Sequence, residues 1–141
     1  MQISRRGDYS IRAMIDIASQ PAGTLVLPHE IAQRQDIPRA FLVKIISRLT
    51  QAGLLRAYRG AAGGVSLSCP PEQVNVLEVI EAVEGPIHLN RCLIRAGECP
   101  RDKSCAMHLV WIKAQRQLVE LLRSTRLSDL VGNGVSLVEA P

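Results

Sequence analysis

The sequence predicts a mainly α fold with one small β hairpin, and three observations support this fold class. Apolar residues recur at helical spacing in several separate segments. A group of glycines near residue 60 lies between two short β-prone runs. The chain of 141 residues is 47% hydrophobic but only 3% aromatic, so its core must be built from aliphatic side chains.

The first two helices are short and have recognisable ends. Asp8 is predicted to cap the first helix, whose apolar face includes Ile11 and Ile15 and which ends before Pro21. Pro28 suits the first turn of a second helix, because its fixed φ is helical and its missing N–H has no partner there in any case.

The third helix, predicted from Pro38 to Ala52, is the most informative segment. Its apolar stripe contains Phe41, Leu42, Ile45, Ile46 and Leu49. The opposite face presents Arg39, Ala40, Val43, Lys44, Ser47 and Arg48. Gly53 stands where a C-terminal cap belongs. A short helix, a tight turn and a second helix with a basic outer face predict a helix-turn-helix.

Two short strands, 54–58 and 65–68, follow this helix directly. The turn between them consists largely of glycine, at Gly60, Gly63 and Gly64. A hairpin in this place is typical of a wing, so residues 1–85 are predicted to form a winged helix-turn-helix domain. Arg59 lies at the tip, and an arginine there suits the narrow minor groove of A·T-rich DNA.

The charge distribution favours a polyanionic partner for the first half of the chain. Residues 1–60 carry nine basic and four acidic residues, a balance of +5, whereas residues 61–141 carry eight and nine, a balance of −1. Solvated basic surface without a partner is the alternative. With the predicted helix-turn-helix, we expect contacts to double-stranded promoter DNA from Arg39, Lys44, Ser47, Arg48 and Arg59.

The second half of the chain predicts further helices. Asn75 and Glu78 have the spacing of a capping box for a fourth helix. Residues 106–123 predict a long helix with more apolar positions than packing on a small domain requires, and we interpret it as a dimerisation helix. Burial within one chain is the alternative. A short terminal helix completes residues 106–131, and residues 132–141 are expected to be a flexible tail.

Three of the four cysteines lie within residues 86–105, which we interpret as a metal-binding loop. Cys92, Cys99 and Cys105 are separated by six and five residues, and His108 follows three positions later. The sequence begins without an apolar signal region, so we expect a cytoplasmic protein with reduced thiols that can bind metal. Since the C-x2–4-C pairs of structural zinc sites are missing, an iron–sulfur cluster fits the spacing best. A Cys3His zinc site and unliganded redox thiols are the alternatives.

Four parts of the sequence together resemble the IscR/NsrR/RirA family of winged-helix regulators of the Rrf-two type. They are the three-cysteine segment and the stretches RRGDYSIRAMIDIA, IPRAFLVKIISRLTQAGLLRAYRGAAGGVSL and VLEVIEAVEGP. The resemblance covers residues 1–131 in the expected order. It implies a homodimeric transcription regulator, expected to be a repressor, that senses redox state, nitric oxide or iron supply through a 2Fe–2S or 4Fe–4S cluster.

The resemblance also assigns the ligands of the cluster. Cys92, Cys99 and Cys105 match the family's cluster cysteines. His108 matches the fourth ligand of IscR-like members, which hold a 2Fe–2S cluster. Asp8 matches the fourth ligand of NsrR-like members, in which it reaches a 4Fe–4S cluster from the partner subunit. This sequence carries both residues, so both remain candidates.

The DNA-contacting positions match the family only in part. Arg59 matches the family's wing arginine, but Val43 and Lys44 stand where IscR-like members have a Glu–Gln pair. The DNA target sequence of those members is therefore not expected to apply to this chain.

No catalytic triad, carboxylate pair or phosphate-cradling loop is evident in the sequence, so we expect no enzyme. An electron-transfer protein is a further alternative. No apolar run approaches the roughly 18 residues of a membrane span.

Overall fold

The computed structural model describes residues 2–131, and the predicted tail 132–141 lies outside them. The helices are α1 (Arg5–Ala18), α2 (Pro28–Gln35), α3 (Arg39–Gln51), α4 (Val76–Glu84), α5 (Ala106–Ser124) and α6 (Leu127–Leu130). The strands are β1 (Leu55–Tyr58) and β2 (Gly64–Leu67). The predicted fold class, mainly α with a small β wing, is confirmed.

Helix α1 begins earlier than the sequence predicted. Ser4 is its N-cap, and the Ser4 hydroxyl accepts a hydrogen bond from the Gly7 amide at 3.3 Å. The prediction that Asp8 caps this helix is therefore wrong. Asp8 lies in the first turn and forms an ion pair with Arg12 at 3.4 Å. Serine and aspartate are both strong N-caps, so local sequence cannot choose between them. The earlier start buries Gly7 against α4.

The helix-turn-helix is formed by α2 and α3. Helix α2 begins at Pro28 as predicted, and Asp36 ends it in a left-handed conformation with φ 52°. Pro38 is the N-cap of α3 rather than its first residue. The apolar stripe of α3 is buried at Leu42, Ile45, Ile46 and Leu49.

Phe41 does not belong to the buried stripe, and that part of the prediction is wrong. Its side chain is 42% exposed and packs edge-to-face against Tyr9 of α1, with ring centroids 5.6 Å apart. Residue 41 lies at the edge of the apolar face, and helical spacing alone does not fix how far that face extends.

The wing is an antiparallel hairpin in which Leu55 pairs with Leu67 and Tyr58 with Gly64. A third segment, which the sequence analysis missed, joins it between α1 and α2. Val26 exchanges two backbone hydrogen bonds with Val65, at 2.8 and 2.9 Å. The apolar residues around Val26 were the available signal. The pairing anchors the base of the wing to the helical core.

The capping box of α4 forms as predicted between Asn75 and Glu78, with hydrogen bonds of 2.9 and 3.0 Å. The chain returns to this point after α5. The Leu127 amide donates to the Val74 carbonyl at 2.9 Å, and Leu127 is fully buried in the core. The short terminal helix therefore shares the core of the winged helix-turn-helix.

A buried polar contact fixes α1 against α2. The Asp16 side chain is 3% exposed and accepts hydrogen bonds from Arg34 Nε at 2.9 Å and Nη2 at 2.7 Å. Gln35 Nε2 donates to the same carboxylate at 3.0 Å. The hydrogen bond to Asp16 raises the pKa of Arg34 above its ordinary value. The contact sets how the helix-turn-helix sits on α1.

We predict that Asp16→Ala lowers the free energy of unfolding by about 2 kcal/mol, because three hydrogen bonds to a carboxylate are removed, two from Arg34 and one from Gln35, while Arg34 keeps its access to water. Asp8→Ala is the matched control on the same helix, since it removes only an exposed i,i+4 ion pair with Arg12 and should change stability by about 0.3–0.5 kcal/mol. Urea unfolding measures both. Equal losses of stability in the two variants would contradict a structural role for Asp16.

Candidate functional site

The outer face of α3 carries the four residues predicted to face the major groove. Arg39, Lys44, Ser47 and Arg48 are all exposed. Arg48 also donates from Nη1 to the Val83 carbonyl of α4 at 3.4 Å. A guanidinium has five N–H donors, so this bond leaves others available. The face is therefore a basic, solvent-accessible helix surface.

The wing tip holds Arg59 in an exposed position. The turn is closed by a hydrogen bond from the Gly63 amide to the Gly60 carbonyl at 2.9 Å. A Cβ at Gly63 would lie 2.2 Å from the carbonyl oxygen of Tyr58. Because the obstructing atoms are backbone, only glycine fits, and this tight turn places Arg59 at the tip.

A basic cavity of 370 Å³ lies between the start of α1 and α3. Its lining residues are Ser4, Arg5, Arg6, Ala40, Phe41 and Lys44. Arg5 and Arg6 were not among the predicted DNA contacts, although two adjacent arginines near the start of the chain could have indicated an anion-binding position. Three cationic side chains on one cavity make it suitable for an anionic group.

A second cavity, of 730 Å³, lies between the cysteine segment and the base of α5, and we call it the cysteine cavity. Its lining includes Cys92, Cys105 and His108 together with Leu93, Leu109 and Ile112. His108 Nδ1 is buried and has no hydrogen-bond partner within the described chain. The cavity lining therefore contains two thiols and an imidazole with an unsatisfied nitrogen, which are the donor types of a soft metal centre.

The remaining predicted ligands lie elsewhere. Cys99 is half-buried on the same segment but does not line the cysteine cavity, and Asp8 is exposed on α1. Within residues 2–131, no three His, Cys, Asp or Glu side chains converge closely enough to hold a metal ion. Cys92 and Cys105 therefore share one cavity with His108, while Cys99 and Asp8 are not brought to it.

The cysteine segment is held together mainly by local contacts. Arg95 pairs with Glu98 at 2.8 Å, and the Gly97 amide donates to Asp102 at 2.7 Å. One contact beyond the segment is the bond from the Leu89 amide to Gln115 of α5, at 2.9 Å. Such local bonds can persist while the segment moves as a whole, so a shift of the cysteine segment need not disturb the hydrophobic core.

Cys69 lies apart from the other cysteines, at the end of the wing. It is half-buried and packs against the hydrophobic core. Such a position is typical of a small structural thiol.

Helix α5 exposes an apolar surface. No residue of this helix is buried in the described chain. The exposed apolar side chains are Met107, Leu109, Val110 and Leu121, and the exposed fraction reaches 69% at Leu109. A helix of nineteen residues with such a surface resembles one side of a protein–protein interface.

No helix within residues 2–131 has the length and apolar character needed to cross a membrane.

The protein has a helix-turn-helix with an exposed basic face, followed by a β hairpin whose glycine-rich turn carries an arginine. These features define a winged-helix DNA-binding protein. Residues 3–133 match the family described as Rrf2, Iron-dependent Transcriptional regulator. The chain belongs to this family, so it is a transcriptional regulator of the Rrf2 type, and the predicted family is confirmed.

Individual relatives agree with this assignment. The HTH-type transcriptional regulator IscR of Escherichia coli O1:K1 / APEC is 33% identical over 134 residues, which cover 94% of this chain and 82% of that one. The solved structure of CymR, the global cysteine regulator of B. subtilis, has a TM-score of 0.76 at 29% identity and covers 99% of each chain. T. potens IscR has a TM-score of 0.75 at 28% identity, over 92% of this chain and 85% of that one.

We predict that Gly63→Ala weakens binding to operator DNA by about 1–3 kcal/mol, because the added Cβ displaces the turn that presents Arg59. Ala61→Ser, an exposed substitution in the same turn, is the control and should bind normally. Fluorescence anisotropy with a labelled operator measures both affinities. Normal binding by Gly63→Ala, in a protein that remains folded, would exclude the wing as a contact.

Proposed function

We propose that this regulator binds promoter DNA as a homodimer, and acts as a repressor that senses redox state, nitric oxide or iron supply through an iron–sulfur cluster. The observation that carries the proposal is the cysteine cavity, which is lined by Cys92, Cys105 and His108, the last with an unsatisfied Nδ1. Kinship with proteins named IscR supports the same cofactor.

The chain positions its candidate ligands at the base of α5. Cys105 is the N-cap of this helix, and its side chain makes no capping hydrogen bond. His108 follows one turn later, so the two side chains lie on one face of the helix. Cys92 lines the same cavity from the other end of the segment. Cys99, the third thiol of the proposed centre, would have to move into the cavity when the cluster binds. When bound, the cluster supplies metal–sulfur bonds that oxidants, nitric oxide or iron shortage can remove.

The contacts of the two candidate fourth ligands differ. His108 Nδ1 is buried without a partner among the described residues, whereas Asp8 is exposed and already paired with Arg12. Burial of an unsatisfied polar atom is unfavourable unless a ligand uses it. This contrast favours His108, and with it the 2Fe–2S type of centre. Asp8 is the alternative, as a ligand donated by one subunit to the centre of its partner.

Dimerisation would connect this centre to DNA. The exposed apolar surface of α5 suits a second copy of the chain, and a two-fold dimer matches half-sites spaced by about 34 Å. Since the cysteine segment leads directly into α5 at Cys105, holding or releasing that segment would change how the two α3 helices are spaced on the duplex.

A regulator with a structural Cys3His zinc site is the second candidate function. Three thiols and one imidazole are also a common zinc donor set, and such a site would sense nothing. The two candidates differ in inorganic sulfide, which only the cluster contains.

We predict that protein purified without oxygen contains iron and inorganic sulfide, and that Cys99→Ala loses both. Its affinity for genomic fragments selected by the loaded wild-type protein should change with that loss. Cys69→Ala is the matched control and should keep the metal, because Cys69 packs against the core away from the cavity. Elemental analysis, sulfide determination and anisotropy are the measurements.

His108→Ala and Asp8→Ala decide the fourth ligand in the same experiment. Loss of the absorption spectrum in His108→Ala alone supports ligation within one chain. Loss in Asp8→Ala alone supports ligation by the partner subunit. Zinc without sulfide in the wild-type protein would establish the second candidate, and affinity that is independent of the metal would exclude sensing.

We predict that Leu109→Glu combined with Leu121→Glu converts the dimer to a monomer, because two carboxylates would have to be buried in the interface. Val43→Glu is the matched control, since Val43 is an equally exposed apolar residue, 64% exposed, on α3. It should leave the dimer intact while weakening DNA binding. Sedimentation velocity measures the assembly. A dimer that persists in the double variant would assign dimerisation to another surface.

A further inference from the structure

Glu84, the last residue of α4, reaches across to the first turn of α1. Its Oε1 accepts hydrogen bonds from the Ser4 amide at 3.1 Å, from the Gly7 amide at 3.2 Å and from the Ser4 hydroxyl. The first amides of a helix have no partners within the helix and carry the positive end of its dipole. A carboxylate from a distant part of the chain thus stabilises the start of α1.

Gly7 makes room for this carboxylate. A Cβ at Gly7 would lie 2.5 Å from Glu84 Oε1 and 2.7 Å from Ile3 Cγ2. Glycine is a poor helix residue compared with alanine, so its place inside α1 has a specific explanation in the approach of Glu84. Both obstructing atoms belong to side chains, so an alanine would displace the Glu84 carboxylate without distorting the backbone.

The turn that Glu84 holds carries two of the cations of the basic cavity. Arg5 and Arg6 lie between Ser4 and Gly7, and together with Lys44 of α3 they line the 370 Å³ cavity. None of these three cations belongs to an ion pair among the described residues. Cations that are grouped without acidic partners repel one another, and an anionic ligand relieves this repulsion.

The occupant that fits the cavity is a phosphate of the DNA backbone. The cavity includes Ala40 at the start of α3, one residue from Arg39 on the predicted DNA-facing surface. Phosphate contacts beside a recognition helix fix its register on the duplex and come largely from arginine and lysine.

We propose that Glu84 is a positioning residue for DNA binding. It holds the first turn of α1 so that Arg5 and Arg6 stand beside Lys44 and together bind a backbone phosphate. This inference rests on the proposed function only in requiring that the protein binds DNA, and it does not depend on an iron–sulfur cluster.

The same residue adjoins the cysteine segment. Gly85 follows Glu84 with φ 79°, and Pro86 then opens the segment. Glu84 also lines a 400 Å³ cavity that contains Ile3 and His88. A rearrangement of the segment would therefore reach the phosphate-binding turn through one carboxylate.

Glu84→Ala, which removes both the charge and the accepting oxygen, gives a test in which two explanations predict opposite changes in DNA affinity. Removal of a negative charge near DNA, by itself, strengthens binding. Without the positioning hydrogen bonds, binding weakens and its salt dependence falls, by about 1 in the log–log slope for each phosphate that the protein no longer neutralises. The assay is fluorescence anisotropy with a labelled duplex of arbitrary sequence over a range of salt concentrations. Glu81 is an exposed glutamate of the same helix, so Glu81→Ala is the matched control and should bind as tightly as wild type or more tightly.

Gly7→Ala tests the same hydrogen bonds without changing any charge. We expect the same decrease in slope as in Glu84→Ala, even though alanine is the better helix former at position 7. Combining the two substitutions should cause no further decrease, because both remove one interaction. Arg5→Gln with Arg6→Gln should reproduce the lower slope directly, and thermal unfolding verifies that each variant is folded.

Wild-type slope and affinity in folded Glu84→Ala would overturn the inference, as would additive effects in the combined variant. If Glu84→Ala fails to fold, Gly7→Ala decides the question alone. A wild-type protein that binds no duplex would instead contradict DNA binding itself, so the two failures are distinguishable.

Discussion

The burial of α1 is the constraint on which the rest of the structure depends. This helix packs against α2, α3, α4, α6 and the wing strand β2. Ala13 and Met14 are fully buried at its centre; the small alanine permits close approach, and the flexible methionine fills the space between the neighbouring elements. Polar contacts fix both halves, through Glu84 at the first turn and Asp16 near the end. Since an aliphatic core specifies orientation weakly by itself, these directed bonds determine how the neighbouring helices sit.

The functional surfaces follow from that arrangement. The Asp16–Arg34 contact orients α2, and the turn after Asp36 then orients α3, whose stripe is buried and whose basic face is left in water. Val26 connects the wing to the same core, so the tip and the basic face are held in a fixed relation. Leu127 returns the end of α5 to the core. Helix α5 is thus anchored near its C-terminus, while its N-terminus depends on the cysteine segment.

Local chemistry explains which features were predictable from the sequence. Pro28, the Asn75–Glu78 capping box and the glycines of the wing act within a few residues, so their effect can be read along the chain. The start of α1 could not be read in this way, because Ser4 and Asp8 are both able to cap and the distant Glu84 favours the first. Tertiary packing likewise set the exposure of Phe41. The cysteines were recognised by type and spacing, but spacing carries no information about which of them share a cavity. Arg5 and Arg6 were not predicted as functional residues, because two adjacent arginines give no periodic signal.

The contrast between the rigid core and the cysteine segment shows why this region suits a switch. The winged helix-turn-helix is held by buried aliphatic contacts and by the polar contacts of Asp16 and Glu84. The cysteine segment contributes little to that core and is held by short-range bonds such as Gly97 to Asp102. A ligand could therefore set the geometry of the segment without rearranging the core. The segment begins just after Glu84, which contacts the first turn of α1, and ends at Cys105, the N-cap of α5. Under the proposed function, a ligand that holds the segment would therefore act on both the phosphate contacts and the dimer interface.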